Sequence, residues 1–151
     1  MFKIIICLFI SAFALAQNVT DENGRKQGKW SQNHDNGQLR YEGSFVDGNP
    51  SGIFLYYTER GVLKANLEYF NEGKSASARL YHSNGKIQAV GLYKNELKEQ
   101  LWKYYDNREN LIREENYRNG KLEGQTSLYY PDGNVLEKSI YVADKKDGKS
   151  V

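Results

Sequence analysis

The unit that decides the fold is visible in residues 52–69, which read GIFLYYTERGVLKANLEY. Residues 63–69 alternate apolar and polar side chains, and a period of two predicts a β-strand with one buried face. Residues 54–58 form a shorter aromatic segment that also suits a strand. Gly61 lies between the two segments, where a tight turn needs a residue that tolerates a positive φ angle. The stretch therefore predicts a β-hairpin.

The hairpin recurs every 24 residues, the step from Gly37 to Gly61, without insertion or deletion. Several columns of residues keep one register, which is a strong sign of an internal repeat. The turn column reads Gly37, Gly61, Gly85, Glu109 and Gly133. A column on its N-terminal side reads Trp30, Phe54, Ala78, Trp102 and Thr126, and one on its C-terminal side reads Phe45, Tyr69, Tyr93, Tyr117 and Tyr141. Residues 24–146 are thus predicted to form five repeats.

The predicted fold is all-β, an elongated single-sheet antiparallel meander. Two strands per repeat give about ten strands in sequence order, and no segment of the repeats has helical periodicity. A single hairpin is marginally stable, so stability must come from the stacking of neighbouring hairpins. The aligned Leu and Tyr columns would form ladders across the strands in place of a globular core.

Two departures from the pattern stand out. Ala76 and Ala78 replace a glycine and an aromatic residue in the third repeat, and the turn at 95–97 and the Gln100 position lack glycine, so the middle of the array is expected to twist or pack differently. In the fourth repeat Arg113 and Glu115 enter the apolar face, where a lone buried charge would be costly. Either this column is solvent-exposed there, or it marks a polar patch that faces a partner.

The two ends of the chain carry separate expectations. Residues 1–16 combine Lys3, an apolar run and an Ala-Leu-Ala cleavage site, which is typical of a secretory signal peptide. The mature chain would begin at Gln17, and residues 17–23 would form a short lead-in. Residues 147–151 begin an incomplete sixth repeat, and the open C-terminal edge is a candidate site of self-association. The protein is therefore expected in the periplasm, at the envelope or outside the cell.

The glycine and aromatic positions resemble the bacterial variant of the MORN repeat. The first two repeats carry this pattern as Gly28, Trp30, Asn33, Gly37, Leu39 and Phe45, and as Gly52, Phe54, Tyr57, Gly61, Leu63 and Tyr69. Asn33 departs from the pattern, because it stands where the pattern has tyrosine. The resemblance covers about residues 24–148 and implies stacked hairpins in one elongated sheet. Such proteins are often labelled YwqK-type antitoxins, and MORN arrays are associated with protein scaffolding and phospholipid contact. The family assigns no catalytic residue, so none can be carried over.

The residues themselves indicate no catalytic site, no metal site and no cofactor. His34 and His82 occupy the same column two repeats apart, about four strands on the sheet, and so are too distant to share a metal ion. They are predicted to flank turns. A candidate binding strip is formed by one aromatic column, Tyr57, Tyr81, Tyr105 and Tyr129. Packing of these rings across the strands is the alternative role, and the one we favour from the pattern.

The sequence thus predicts a non-enzymatic, exported repeat protein. Loss of Lys3 with the signal leaves 20 basic and 19 acidic residues, so nucleic acid is not an expected partner and any membrane contact would be weak. The first hypothesis is a protein-binding or scaffold module at the cell envelope. The alternatives are a glycan or phospholipid-surface binder that uses the aromatic strip, and an antitoxin-like inhibitor of an exported toxin.

Overall fold

The computed structural model describes residues 17–148. Residues 1–16 and 149–151 lie outside this range. The predicted signal peptide, its cleavage site and most of the incomplete sixth repeat therefore fall outside the described residues. In the described part of the chain, no helix is long and apolar enough to cross a membrane.

Twelve antiparallel strands form one open sheet, and their order in the sheet is their order in the chain. The strands are β1 (Val19–Thr20), β2 (Lys26–Asn33), β3 (Leu39–Val46), β4 (Asn49–Tyr57), β5 (Leu63–Phe70), β6 (Ser75–Tyr81), β7 (Ile87–Lys94), β8 (Leu97–Tyr105), β9 (Leu111–Arg118), β10 (Lys121–Tyr129), β11 (Val135–Val142) and β12 (Lys145–Asp147). The predicted all-β single-sheet meander is confirmed. The expected ten strands were too few, because two short strands, β1 before the repeats and β12 at their C-terminal end, pair with β2 and β11.

The hairpin turns keep one geometry in all five repeats, even where glycine is missing. The amide of Gly37 donates to the carbonyl of His34 at 2.9 Å, and the amide of Glu109 donates to the carbonyl of Asp106 at 3.0 Å. Glu109 adopts φ of +73° to do so, in the left-handed region that favours glycine. The fourth turn therefore holds a strained non-glycine residue.

The most buried large side chains lie in one row that crosses the sheet on a single face. Cross-strand pairs and close contacts place Trp30, Gly43, Phe54, Leu67, Ala78, Gly91, Trp102, Glu115, Thr126 and Ser139 in this row. Trp102 is fully buried and Phe54 is 2% exposed. Their rings lie against the backbone of Gly91 and Gly43, where an added Cβ atom would come within 2.2 and 2.5 Å of ring carbons. The row, which we call the core row, takes the place of a globular core.

Several contacts recur at every second repeat, which is twice the period of the sequence pattern. His34 Nε2 lies 3.0 Å from the carbonyl oxygen of Tyr57, and His82 Nε2 lies 2.9 Å from that of Tyr105. The Tyr56 and Tyr69 hydroxyls are 3.4 Å apart, as are those of Tyr104 and Tyr117. Gly43 and Gly91, which lie under Phe54 and Trp102, are also two repeats apart. Hairpins in this part of the sheet therefore alternate between two packing states.

The third repeat departs from its neighbours in backbone as well as in side chains. Four residues, 71–74, connect β5 to β6, whereas two connect β3 to β4 and β7 to β8. Gly52 and Gln100 adopt positive φ in the equivalent strands, but Ala76 does not. The pairing of β5 with β6 accordingly runs without a register shift, unlike that of β3 with β4. The expectation that the middle of the array packs differently therefore holds for the third repeat, whereas Gln100 in the fourth keeps the positive φ of the glycine that it replaces.

Candidate functional site

Aromatic side chains form two separate clusters on the face of the core row. In the first cluster, Phe54 lies between Phe45 and Tyr69, with its ring centroid 5.1 Å from each in edge-on contacts. In the second, Trp102 contacts Tyr93 at 4.9 Å and Tyr104 at 6.2 Å. Such edge-on and tilted arrangements are the favoured ones for aromatic pairs. The clusters lie on β2–β5 and β7–β9, and β6 lies between them in the sheet.

A groove of about 590 Å³ lies between the two aromatic clusters. Its floor is made of small or flexible aliphatic side chains from β5 and β6, namely Ala65, Leu67, Ala76 and Leu80. Ala78 is buried beside them and stands where other repeats carry Phe54 or Trp102. The groove thus arises because the third repeat contributes no large ring to the core row.

The walls of the groove are tyrosines, and its rim carries balanced charge. Tyr56 and Tyr69 line one side and Tyr93 lines the other. Burial raises the pKa of the Tyr93 hydroxyl, so this wall stays neutral at physiological pH. The charged lining residues are two lysines and two glutamates: Lys64, Lys74, Glu72 and Glu96. The groove therefore favours an uncharged, apolar group.

A lysine is enclosed by the second cluster. Lys98 Nζ lies 4.8 Å from the ring centroid of Trp102 and 4.9 Å from that of Tyr117, and it donates a hydrogen bond of 2.7 Å to Tyr104 Oη. Burial lowers the pKa of Lys98, while cation–π contacts favour the charged ammonium. This arrangement holds the second cluster together and does not line the groove.

Beyond the second cluster the core row becomes polar. The expectation that this column is solvent-exposed was wrong for Glu115, which is 7% exposed. Its carboxylate is stabilised by neighbours, since Tyr117 Oη donates to Oε2 at 2.7 Å and Arg113 Nε lies 3.3 Å from Oε1. A pocket of about 200 Å³ adjoins Glu115 and Thr126. Whether this pocket faces a partner stays a prediction.

The four tyrosines of the predicted strip lie at the ends of β4, β6, β8 and β10, each next to a register shift. Tyr57 Oη donates to Glu42 at 2.9 Å and Tyr129 Oη donates to Glu114 at 2.7 Å. Glu42 follows Tyr41 of the first cluster, so alternation directs it to the opposite face of the sheet. The groove is lined by none of the four, and its walls come from other tyrosines.

The ring packing expected of the strip is provided by other residues. Within residues 17–148, the ring pairs involve Trp30, Tyr41, Phe45, Phe54, Tyr56, Tyr69, Tyr93, Trp102 and Tyr104. None joins two members of Tyr57, Tyr81, Tyr105 and Tyr129. The strip as a binding surface stays a prediction, whereas its favoured role in cross-strand ring stacking does not match the geometry.

The two histidines have a structural role. Because a carbonyl oxygen can only accept, Nε2 of His34 donates to Tyr57 and Nε2 of His82 donates to Tyr105, across to the next hairpin. Asn36 and Asn84 donate to carbonyls of the following turn in the same way. The histidines therefore join successive hairpins at their turns. In the described residues, no group of three or more His, Cys, Asp or Glu side chains could hold a metal ion.

The sheet, its sequential strand order and its repeating core row define the chain as an open β-hairpin repeat protein. The sequence model of the MORN repeat variant matches residues 26–47, 76–95 and 122–143. These segments correspond to every second hairpin, β2–β3, β6–β7 and β10–β11. Three hairpins of the sheet thus match the MORN repeat variant.

Comparison with other proteins adds little beyond the family. No curated protein sequence matches the chain. Two similar solved structures are the crystal structure of TarM and that of an S. aureus TarM mutant in complex with fondaparinux, alpha-GlcNAc-glycerol and UDP. Each is 11% identical with a TM-score of 0.46, and they cover 64% and 63% of this chain. This chain spans about a fifth of their length, 19% of each.

Proposed function

We propose that the chain is an exported, non-enzymatic binding protein that holds a protein partner at the cell envelope, with apolar side chains of the partner entering the groove. The signal-like residues 1–16 support export, and the MORN-variant repeats support a repeat module without catalytic machinery. The groove supports the binding role, because apolar concavities with a few polar groups at the rim are the usual form of binding sites.

The single observation that carries the proposal is the interruption of the aromatic row. The repeats on either side of the third place a large ring at this position of the core row, Phe54 and Trp102. The third repeat instead leaves a groove between tyrosine walls, with buried alanines and the partly exposed Leu67 and Leu80 as its floor. Burial of a partner's apolar surface there would be favourable, by about 25 cal/mol per Å² of surface removed from water.

The proposal is tested by filling the groove without disturbing the opposite face. Ala76 lines the groove floor, while its neighbour Ser77 is exposed and projects from the other side of the same strand. Ala76 is 1% exposed, so the added atoms of Ala76→Leu would fill the bottom of the groove, and Ser77→Leu would add a leucine to the opposite face of the same strand as the control. We expect crosslinking in cells, followed by mass spectrometry, to recover one stoichiometric partner with the wild type and with Ser77→Leu.

With Ala76→Leu, recovery of that partner is expected to fall by at least tenfold while the thermal melting curve stays cooperative. Recovery equal to that of the wild type would show that the groove does not bind the partner. A partner that is toxic when expressed alone would assign the chain to the antitoxin-like class. Pulldown on polysaccharide or liposomes without any protein partner would favour the glycan or phospholipid alternative.

A further inference from the structure

We infer that the groove receives an aromatic side chain of the protein partner, seated between Tyr69 and Tyr93. This inference rests on the proposed function and names the chemical group that the groove selects. The residues that carry it are the three consecutive members of one column, Phe45, Tyr69 and Tyr93, and the residues between them in the core row.

The first cluster shows what fits between two rings of this column. Phe54 lies between Phe45 and Tyr69 and makes edge-on contacts of 5.1 Å with both. Tyr69 and Tyr93 are likewise separated by two strands, or about 10 Å, which is the sum of two such contacts. The chain has Ala78 at the place equivalent to Phe54, so these two tyrosines lack a ring between them.

The floor of the groove explains why the ring would come from another molecule. Phe54 rests on Gly43, which has no side chain, but the residue at the equivalent place beneath Ala78 is Leu67. A ring attached to residue 78 would collide with Leu67. A ring that enters from solvent can rest on Leu67 and Leu80, the partly exposed residues of the groove floor, while its edges reach the two tyrosines.

The charges at the rim favour a neutral aromatic group over an ionic one. Lys74 Nζ is 3.2 Å from Glu72 Oε2, so these two charges are already paired. The remaining charged lining residues, Lys64 and Glu96, have opposite signs. The aromatic walls add an attraction of about 0.5–1.5 kcal/mol per ring pair beyond burial, which an aliphatic side chain of similar size would not gain.

The test uses two small probes on the mature protein, N-acetyl-tryptophanamide and N-acetyl-leucinamide, with binding followed by NMR. We expect the tryptophan probe to shift the signals of Ala76, Ala78 and Leu80, and to bind about fivefold more tightly than the leucine probe. Tyr69→Leu removes one wall and should bring the two affinities within about twofold. Tyr141→Leu, a column member outside the groove, serves as the matched control and should keep the preference.

The outcomes separate this inference from the proposed function. Equal binding of the two probes to the wild type, or no shift in the groove with either, would overturn the aromatic inference. If Ala76→Leu still abolished partner recovery in that case, the proposed function would stand. If the tryptophan probe bound in the groove but Ala76→Leu left partner recovery unchanged, the pocket chemistry would hold and its assignment to this partner would fail.

Discussion

Two glycines of the core row are required by packing and not by backbone conformation. Gly43 and Gly91 are absent from the positive-φ residues, yet each lies directly under a ring. Gly43 can be told apart from the turn glycines, such as Gly85, whose φ of +81° calls for glycine while the space around it is open. A substitution at a core-row glycine is therefore harmful because of a steric clash, whereas one at a turn glycine is harmful because of backbone strain.

Gly43→Ala is expected to destabilise the protein by about 1–3 kcal/mol, because the new Cβ atom would force the Phe54 ring from its place. Urea unfolding measures the change. In the double variant with Phe54→Leu, the loss due to the alanine should shrink, since the smaller side chain leaves room. Fully additive losses would show that the ring contact is not the cause.

Glu109→Gly is expected to stabilise the protein by about 0.5–1 kcal/mol, because glycine adopts a positive φ without steric cost. The exposed pair between Lys86 and Glu109, 3.3 Å apart, is lost, but such a pair contributes little. Gly85→Glu makes the reverse change at the equivalent turn and should destabilise by a similar amount. An unchanged urea midpoint in Glu109→Gly would contradict the strain at this turn.

At the scale of the strands, single side chains connect neighbours on the face opposite the core row. Glu114 on β9 accepts a hydrogen bond of 2.7 Å from Tyr129 on β10 and pairs at 2.9 Å with Lys103 on β8. Lys103 and Glu114, and Glu114 and Ser127, are direct cross-strand partners. One carboxylate thus joins three consecutive strands, which makes it sensitive to protonation.

The pKa of Glu114 is lowered by the hydrogen bond from Tyr129 and by the nearby Lys103 ammonium. A carboxylate whose folded pKa lies below its unfolded value stabilises the fold above the unfolded pKa, about 4.3 for Glu. That stabilisation is lost as the pH falls through the folded pKa. Glu114→Gln should therefore lower stability at pH 7 and flatten its decline below about pH 4.5.

The effect is measured as the free energy of unfolding, from chemical denaturation at several pH values between about 2.5 and 7, the range in which carboxylates titrate. Glu68→Gln, at an exposed position on β5, is the matched control and should leave the acid limb steep. An acid limb of equal slope in Glu114→Gln and the wild type would show that other carboxylates dominate. Tyr129→Phe should reproduce part of the Glu114→Gln effect, because it removes one of the two hydrogen-bonding partners.

The strands could be predicted well from the sequence because their signals are local. Alternation in 63–69 depends on the strand itself, and a turn such as 34–37 depends on a few adjacent residues. The absence of positive φ at Ala76 was harder to predict from the sequence, because Gln100 is also not glycine and yet keeps positive φ. Whether the backbone at these positions adopts positive φ depends on the turn that precedes each strand, which has four residues before β6 and two before β8.

At the scale of the whole molecule, the predicted meander was right and the candidate site was not found. The groove forms where residues of β5, β6 and β7 share the face of the core row, and its size depends on how large their side chains are. One signal was present, since Ala76 and Ala78 broke their columns, and the alternation of Gly43, Leu67 and Gly91 would have added to it. The sequence left two alternatives for Glu115, and its burial could not be foreseen because its stabilising partners, Arg113 and Tyr117, can be recognised only from side-chain geometry.

The sequential strand order fixes the distance between any two sites along the sheet. Each strand pairs only with the strands that precede and follow it, so each hairpin advances the sheet by a fixed step of about 10 Å. The groove on β5–β6 and the polar pocket near Glu115 and Thr126 are therefore held at a spacing set by the number of strands between them. Insertion of a single repeat would lengthen that spacing by one step but reverse the alternation of packing, whereas insertion of a pair of repeats would lengthen it and keep the alternation in phase.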